Sequence, residues 1–390
     1  MRDIERRIFD QEHEIFRQAF KAWVGSEIVP FHEKWEHDQI VPRELWTAAG
    51  EQGFVGMAVP ERYGGGGSDD YRFPAIINEE IAYAGVFGSG NGFTVHNDIV
   101  LPYLLTLADD EQRQRWLPGM ATGELIGAIA MTEPDAGSDL GGIKTRAVRH
   151  GDTFLVNGSK TFISNGIHSD VVIVVARSDR ESRHGLSLLV LERGMPGFER
   201  GRNLDKMGLH AQDTAELFFN NVEVPATNLL GQENEGFSYL MQNLAQERLS
   251  LAVGAMAACE AALDWTIDYT IDRTAFGKRI ADFQNTKFML ADMSTKVQVA
   301  RCYLDQCIEL HTDGKLSAEQ AAASKLWCTE LQIDVVNDCV QLHGGYGYMR
   351  EYAIARLWAD SRIQTIHGGT SQIMKEIIGR SIVRDRSPHR

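Results

Sequence analysis

Apolar positions along the chain change their period twice. Up to about residue 125 they recur at helical steps. Phe9, Phe16, Phe20 and Trp23 share one side of a helix, and Pro30, Pro42, Pro60 and the run Gly64–Gly67 punctuate. No strand–turn–helix frames those four glycines, so they read as a flexible surface turn and not as a phosphate cradle. From about 126 to 233 the runs shorten. LIGAIAM, DTFLVNG, KTFISNG, DVVIVVAR, GLSLLVLE and TAELFFNNVEV are rich in Val, Ile, Phe and Thr and bounded by Gly, Asn and Asp, which predicts strands. No helix-length segment separates them, so an antiparallel barrel or sandwich is expected and a Rossmann-type parallel sheet excluded. From about 234 the helical period returns, now in long stretches. Leu290, Met293, Val297, Ala300, Leu304 and Cys307 alternate steps of three and four, the seam of a helix bundle. Ser317 with Gln320 forms a capping box for a helix that runs through Leu331, Val335 and Cys339 to Gly344-Gly345. The pattern is α+β: a helical domain over 1–125, a β domain over 126–233 and a four-helix bundle over 234–390.

One polar residue breaks the bundle pattern. On the helix expected to begin near Gly236, Leu240, Leu244, Glu247 and Leu251 lie in one narrow stripe flanked by Phe237 and Met241. Glutamate is rarely buried unless it is paired or put to use. Burial disfavours the charged form and raises the pKa, which makes a carboxylate a useful base near neutrality. The competing reading is a structural ion pair. Arg248 is the nearest cation, yet adjacent helix residues do not face each other. The pattern alone leaves both readings open.

Composition narrows the classes. The 390 residues suggest two or three domains, and 43% hydrophobic with 24% charged residues is ordinary for a globular protein. A formal charge of −15 argues against nucleic-acid partners and anionic membrane surfaces. The start, MRDIERRIFDQEHEIF, has neither a signal core nor the acid-poor character of a transit peptide, and no uninterrupted apolar run is long enough to span a bilayer. A cytoplasmic, bacterial-type location is the expectation, with an organelle after processing as the alternative. All five cysteines fall in the last third without CxxC or zinc-like His spacing, so buried free thiols and no metal site are expected. His32 and His37, in HEKWEHD, read as a solvated helix face.

Five segments carry a more specific signal: AMTEPDAGSDL (130–140), KTFISNG (160–166), RTAFGKRIADFQ (273–284), QLHGGYGY (341–348) and IHGGTSQIMKEIIGR (366–380). In content and order they resemble the signatures of the acyl-CoA dehydrogenase family, with the last most similar to its long-chain branch. The resemblance covers nearly the whole chain and implies the acyl-CoA dehydrogenase fold. It implies FAD held noncovalently between β domain and bundle, an acyl-CoA substrate, electron-transfer flavoprotein as acceptor, and a homotetramer whose subunits share FAD sites. Carried over by position, Ile129, Ala130, Met131, Thr132, Gly137 and Ser138 line the flavin, with Phe162, Ile163 and Ser164 along its rings. Arg273, Phe276 and Gln284 reach the FAD of a partner chain, as do Gln341, Leu342, His343, Gly344 and Gly345. Thr370 and Gln372 meet FAD near the start of the last helix. Glycines allow close backbone approach, and a helix N-terminus and an arginine suit a pyrophosphate. For the substrate the resemblance implies Arg248 as the CoA contact, Ser138 and Ser238 along the thioester path, and Gln246 and Gly369 nearby. Arg183 and His184 are further candidates, for which a solvated loop is the alternative.

One departure is informative. Most of the family carries its base just before the Gly-Thr pair of the last motif, where this chain has Gly368. The long-chain and isovaleryl members instead place Glu on the bundle helix before an Arg, and AQERL (245–249) is similar to that arrangement. The resemblance therefore assigns Cα proton removal to Glu247 and keeps the Gly368 N–H as a donor to the thioester oxygen, with flavin N5 taking the Cβ hydride and trans-2-enoyl-CoA as product. Ala275 stands where many members have Thr, which removes one flavin contact. His343 and His367 receive no acid–base role. An acyl-CoA oxidase and a noncatalytic CoA-ester-binding paralogue are the alternatives. The chain's end about ten residues past the last motif argues against the first, and Glu247 with the flavin motifs against the second.

Overall fold

The computed structural model describes residues 6–384. The N-terminal helices are α1 (Gln11–Glu27), α2 (His32–Asp38), α3 (Glu44–Glu51), α4 (Arg72–Tyr83), α5 (Phe87–Thr94), α6 (Leu101–Leu107) and α7 (Asp110–Ala121). Asp10 opens α1 by accepting the N–H groups of Glu12 and His13, and Asp109 opens α7 in the same way through Gln112. The aromatic side of α1 packs as its spacing requires: the Phe20 ring meets Phe54 edge-on at 4.9 Å, and Trp23 lies 6.1 Å from Phe93. Between α5 and α6 the helix widens into a π-helical turn, Val95–Val100.

The strands are β1 (Gly127–Ala130), β2 (Arg146–His150), β3 (Thr153–Ser164), β4 (Val171–Arg177), β5 (Leu186–Glu192), β6 (Phe198–Asn203), β7 (Thr214–Pro225) and β8 (Leu229–Leu230). They pair in the order β6-β7-β3-β2-β4-β5-β8, with β1 beside β4. The expected antiparallel pairing holds along most of this path. It fails at β1, which runs parallel to β4 from Gly127↔Val171 to Ala130↔Val174, and at a single β2–β4 bridge. A parallel pair needs a crossover, and the β2–β3 hairpin with its flanking loops serves in place of a helix. β4 and β5 are buried on both faces. Val171, Ile173 and Val175 join the cluster beneath α6 and α7, while Val172, Val174 and Ala176 join the interior of the sheet. That two-sided burial explains why DVVIVVAR lacks polar alternation.

The C-terminal part comprises α8 (Gly236–Asp272), the β9–β10 hairpin (Thr274–Ala275 and Lys278–Arg279), α9 (Gln284–Thr312), α10 (Ala318–His343), α11 (Ala353–Ser361) and α12 (Ser371–Arg384). Ser317 and Gln320 cap α10 reciprocally, as their spacing predicted. Met293, Val297, Ala300, Leu304 and Cys307 are buried, with Leu290 packed against them. α8 is long and apolar enough to cross a bilayer by length and composition, but 78% of its apolar window is buried inside the protein. It is the core helix.

Three sequence expectations are corrected. His32 is buried, its Nδ1 2.7 Å from Ser89 Oγ, because His32, Trp35 and Glu36 form the inner face of α2; His37 alone is solvated. Cys302 is exposed, whereas the other four thiols are buried and free. The glycine run is an ordered turn. Gly67 N–H donates to Val59 O at 2.9 Å, and a Cβ at Gly65 would sit 2.2 Å from that same carbonyl.

Candidate active site

Glu247 opens the continuously buried stretch of α8, which runs to Cys259, and is 5% exposed. Among the described residues its one hydrogen-bonding partner is Tyr103, whose hydroxyl donates to Oε1 at 3.0 Å. Burial pushes the carboxyl up to about 7, and the Tyr103 hydrogen bond and the Arg248 charge pull in the other direction without cancelling it. Arg248 makes no ion pair with it among the described residues. The Arg248 guanidinium is itself buried, at 6% exposure, and its Nε lacks a partner. The ion-pair reading of Glu247 therefore loses its support, and a buried cation stands next to this carboxylate with hydrogen-bonding capacity to spare.

The loop after α11 closes over the same stretch of α8. Gly368 has φ +61°, and a Cβ built on it would lie 2.3 Å from Leu251 Cδ1, one helical turn beyond Glu247. Lys325 of α10, fully buried, donates from Nζ to Gly369 O at 2.7 Å and pins the loop. Burial and then the Arg248 charge push Lys325 down to about 8. His367 pairs through Nε2 with Gln364 Oε1 at 3.0 Å, and burial with the Lys325 charge pushes it to about 3, so it is neutral.

The segments 130–140 and 160–166 are joined by a buried charge pair. Lys160 Nζ donates to Glu133 Oε1 at 2.9 Å and to Met131 O at 2.8 Å, while the N–H groups of Lys144 and Thr145 donate to Glu133. Thr161 N–H donates to Thr132 O at 2.9 Å. Ile129–Thr132 are thereby fixed beside 160–164, and Gly137 and Ser138 stand exposed on the intervening loop. Phe162 sits at a bulge of β3 with φ +59° and is 68% exposed. A bulky side chain held both in left-handed backbone and in solvent costs about 1–3 kcal/mol, the kind of strain that concentrates at functional surfaces. Ile163 and Ala130 depart from the expectation: their side chains point into the sheet interior, so only their backbones can face a cofactor.

Of the residues that the resemblance assigns to the FAD of a partner chain, most gather at one end of the bundle. Arg273 and Gln341–Gly345 line one cleft of about 620 Å³ with Tyr269, Tyr346 and Met349. Arg273 lies over the Tyr346 ring at 5.5 Å, and His343 stacks on Tyr269 at 4.3 Å while its Nδ1–H donates to Cys339 O. Gly344 has φ +58°, and a Cβ on Gly344 or Gly345 would meet nothing within 4 Å, so the backbone there is open to a ligand. Phe276, at the tip of the β9–β10 hairpin, is 95% exposed with φ +51°. It and Gln284 do not line this cleft. Thr370 Oγ1 accepts the Ile373 N–H at the head of α12, beside exposed Gln372. Strained exposed aromatics suit a ring system, and an arginine with open glycines suits a pyrophosphate. The residues present fit FAD.

The substrate candidates are less uniform. Gln246 is spent inside the protein: Nε2 donates to Asp98 O at 2.9 Å and Oε1 meets His311 Nε2 at 3.1 Å. Arg183 is exposed and donates through one nitrogen to both carboxylate oxygens of Asp139 at 2.9 Å, and His184 stacks on Phe237 at 4.1 Å, beside exposed Ser238. Sequence reasoning missed Lys325 and Tyr103. Lys325 could have been found as Glu247 was, since it shares a stripe with Ala321, Ala322 and Cys328. Tyr103 gives no local signal; its partner is 144 residues away.

Three domain families match the chain in order: acyl-CoA dehydrogenase N-terminal domain at 10–124, middle domain at 128–222 and C-terminal domain at 234–383. The chain belongs to the acyl-CoA dehydrogenase family, a family of oxidoreductases. It is 50% identical over 384 residues to the long-chain specific acyl-CoA dehydrogenase, mitochondrial, of Sus scrofa, covering 98% of this chain and 89% of that one. A crystal structure of acyl-CoA dehydrogenase from Geobacillus kaustophilus superposes with TM-score 0.95 at 48% identity, over 97% of this chain and 100% of that one. A glutaryl-CoA dehydrogenase from Mycobacterium smegmatis, solved in complex with FADH2, superposes with TM-score 0.90 at 27% identity, over 98% and 97%.

Proposed function

We propose that the protein catalyses FAD-dependent α,β-dehydrogenation of a fatty acyl-CoA thioester to the trans-2-enoyl-CoA, with Glu247 taking the Cα proton. The observation that carries this reading is a carboxylate buried among leucines, free of any ion pair among the described residues, whose pKa is raised to about 7. Such a group is ionised in slightly alkaline solution and basic enough to accept a weakly acidic proton. Gly368, pressed against Leu251, brings its backbone to the same turn of α8, and its N–H is the proposed donor to the thioester oxygen as charge develops there. Lys325 holds that loop through Gly369 O.

FAD, when bound, supplies the acceptor for the Cβ hydride. The residues proposed to hold it are the 129–132 strand end, Gly137, Ser138, Phe162 and Ser164 on one side and Thr370 and Gln372 on the other. Arg273, Phe276, Gln284 and the 341–345 turn are proposed to serve the FAD of a neighbouring subunit. The exposure of Phe276 supports a role completed outside its own chain. Likeness to the Sus scrofa enzyme favours long acyl chains. Electron-transfer flavoprotein as acceptor, a homotetrameric assembly and a cytoplasmic site of action complete the proposal.

The test is anaerobic mixing of the flavin-loaded protein with acyl-CoA thioesters of graded length while flavin absorbance is followed. Bleaching strongest for long chains is expected. Glu247→Gln should bind the same thioesters and lose bleaching by at least about a thousandfold; bleaching at the parent rate would remove Glu247 from its role.

A further inference from the structure

We infer that Tyr103 is a positioning residue for the base: a π-helical turn clamped to α8 aims its hydroxyl so that the Glu247 carboxylate stays in one orientation. The inference rests on the reading of Glu247 as the base and adds a residue and a device to it. Tyr103 is fully buried and Glu247 nearly so, and the hydroxyl donates to Oε1 at 3.0 Å. Among the described residues this is the one side-chain donor to the carboxylate, and it fixes where Oε1 points.

The delivery of Tyr103 is itself built. Each additional residue in a helix rotates the remainder of that helix by roughly 100°, so the wider π turn at 95–100 changes the face on which Tyr103 emerges. That turn is fastened to α8 on both sides of the base. The Asp98 carbonyl accepts from Gln246 Nε2 at 2.9 Å, one residue before Glu247, and the Asp98 carboxylate accepts from Ser250 Oγ, three residues after it. Asn78 Nδ2 of α4 donates to the same carboxylate at 2.8 Å. The buried polar cluster around Asp98 thereby holds α4, the π turn and α8 in one register.

The groups that act on Glu247 are Tyr103 from α6 and, through its charge, Arg248 on α8 itself. Lys325 of α10 feels the Arg248 charge, His367 of the loop before α12 feels the Lys325 charge, and Asp98 of the π turn, raised by burial to about 6, accepts from Ser250. Burial holds the Tyr103 phenol well above its ordinary range, so it remains a donor while Glu247 titrates. In the reaction the Cα–H bond breaks and its proton goes to Glu247; Tyr103 keeps its own proton throughout. A donor stabilises the ionised carboxylate, so its removal leaves a base that is both more mobile and harder to ionise.

Tyr103→Phe removes only the hydroxyl and should leave the melting temperature near the parent's. In the flavin-loaded enzyme kcat should fall at least tenfold with KM within a factor of two, and the acid limb of the kcat/KM profile should move up by about one unit. The 13C resonance of labelled Glu247 in substrate-free enzyme should show the same upward midpoint. If Glu247→Gln is inactive while Tyr103→Phe leaves limb and resonance unmoved, the role of Tyr103 is overturned alone. If Glu247→Gln turns over normally, the base reading and the role of Tyr103 fall together.

Discussion

A carboxylate buried among leucines is a burden on the fold, and Glu247 allows that burden to be measured. Its folded pKa of about 7 lies above the ordinary 4.5, with burial as the main cause. For a carboxyl raised in this way, the native state binds more protons than the unfolded chain between these two values. Stability is therefore intact below about 4.5, declines as pH rises toward 7, and levels off above it. Glu247→Gln removes the titration, so it should melt no higher than the parent near pH 4.5 and progressively higher toward pH 8. A gap of about 3 kcal/mol is the upper bound from the size of the shift. Calorimetric melts of the two proteins across this range check it, and parallel curves would show that Glu247 ionises freely in the folded state. The residue scale is also where the sequence was most legible. A glutamate among leucines at helical spacing needs no tertiary knowledge to be noticed, and Lys325 obeys the same rule. Tyr103 and the burial of Arg248 were not legible, because each depends on an element far away along the chain.

Elements decide what a side chain can reach, and the loop at Gly368 shows this against α8. Moving the base from Glu247 to position 368 looks simple from sequence, since both backbones serve the same proposed substrate carbon. Two features oppose it. Gly368 has φ +61°, strained for any residue with a Cβ, and its Cβ would enter the space of Leu251 Cδ1. The double variant Glu247→Gly with Gly368→Glu should therefore recover less than about one hundredth of parental turnover, since an ångström of misplacement is costly. Adding Leu251→Ala should raise that recovery several-fold by admitting the new side chain, and single-turnover flavin reduction measures both steps. No gain from Leu251→Ala would place the obstacle in the backbone alone. Long helices could be read from their periods, and the buried strands of the sheet from their Val, Ile and Phe content and the Gly, Asn and Asp that bound them. The parallel seat of β1 and the π turn could not: the first depends on a crossover between distant segments, and the second alters a helix by a residue without altering its composition.

At the scale of the molecule, α8 packs against α4 on one side and against α9 and α10 on the other, and a buried charge cluster joins the N-terminal helices to the bundle. Glu79 of α4 is fully buried and receives Arg6 at 2.8 Å, Arg17 of α1 at 3.0 Å and Arg301 of α9 at 3.0 Å. Burial raises its pKa, but the three guanidiniums outweigh burial and hold it below the ordinary carboxylate range. A carboxyl depressed in this way stabilises the fold above its unfolded value and loses that contribution as pH falls through the folded one. Glu79→Gln leaves three arginines crowded around a neutral amide. Asp305, Glu80 and Glu260 still neutralise them individually, so the loss should fall near the lower end of the roughly 3–5 kcal/mol typical of a broken buried pair. Urea unfolding at pH 7.5 should show the parent clearly more stable. The gap should narrow as pH drops below about 4.5, because the parent then loses what the variant never had. The cluster does not touch Glu247, so flavin reduction by the folded variant should proceed at close to the parental rate under conditions where both remain native. Equal urea midpoints at pH 7.5 would mean that the arginines find water or other carboxylates at no cost, and that hydrophobic packing alone fastens the N-terminal helices to the bundle.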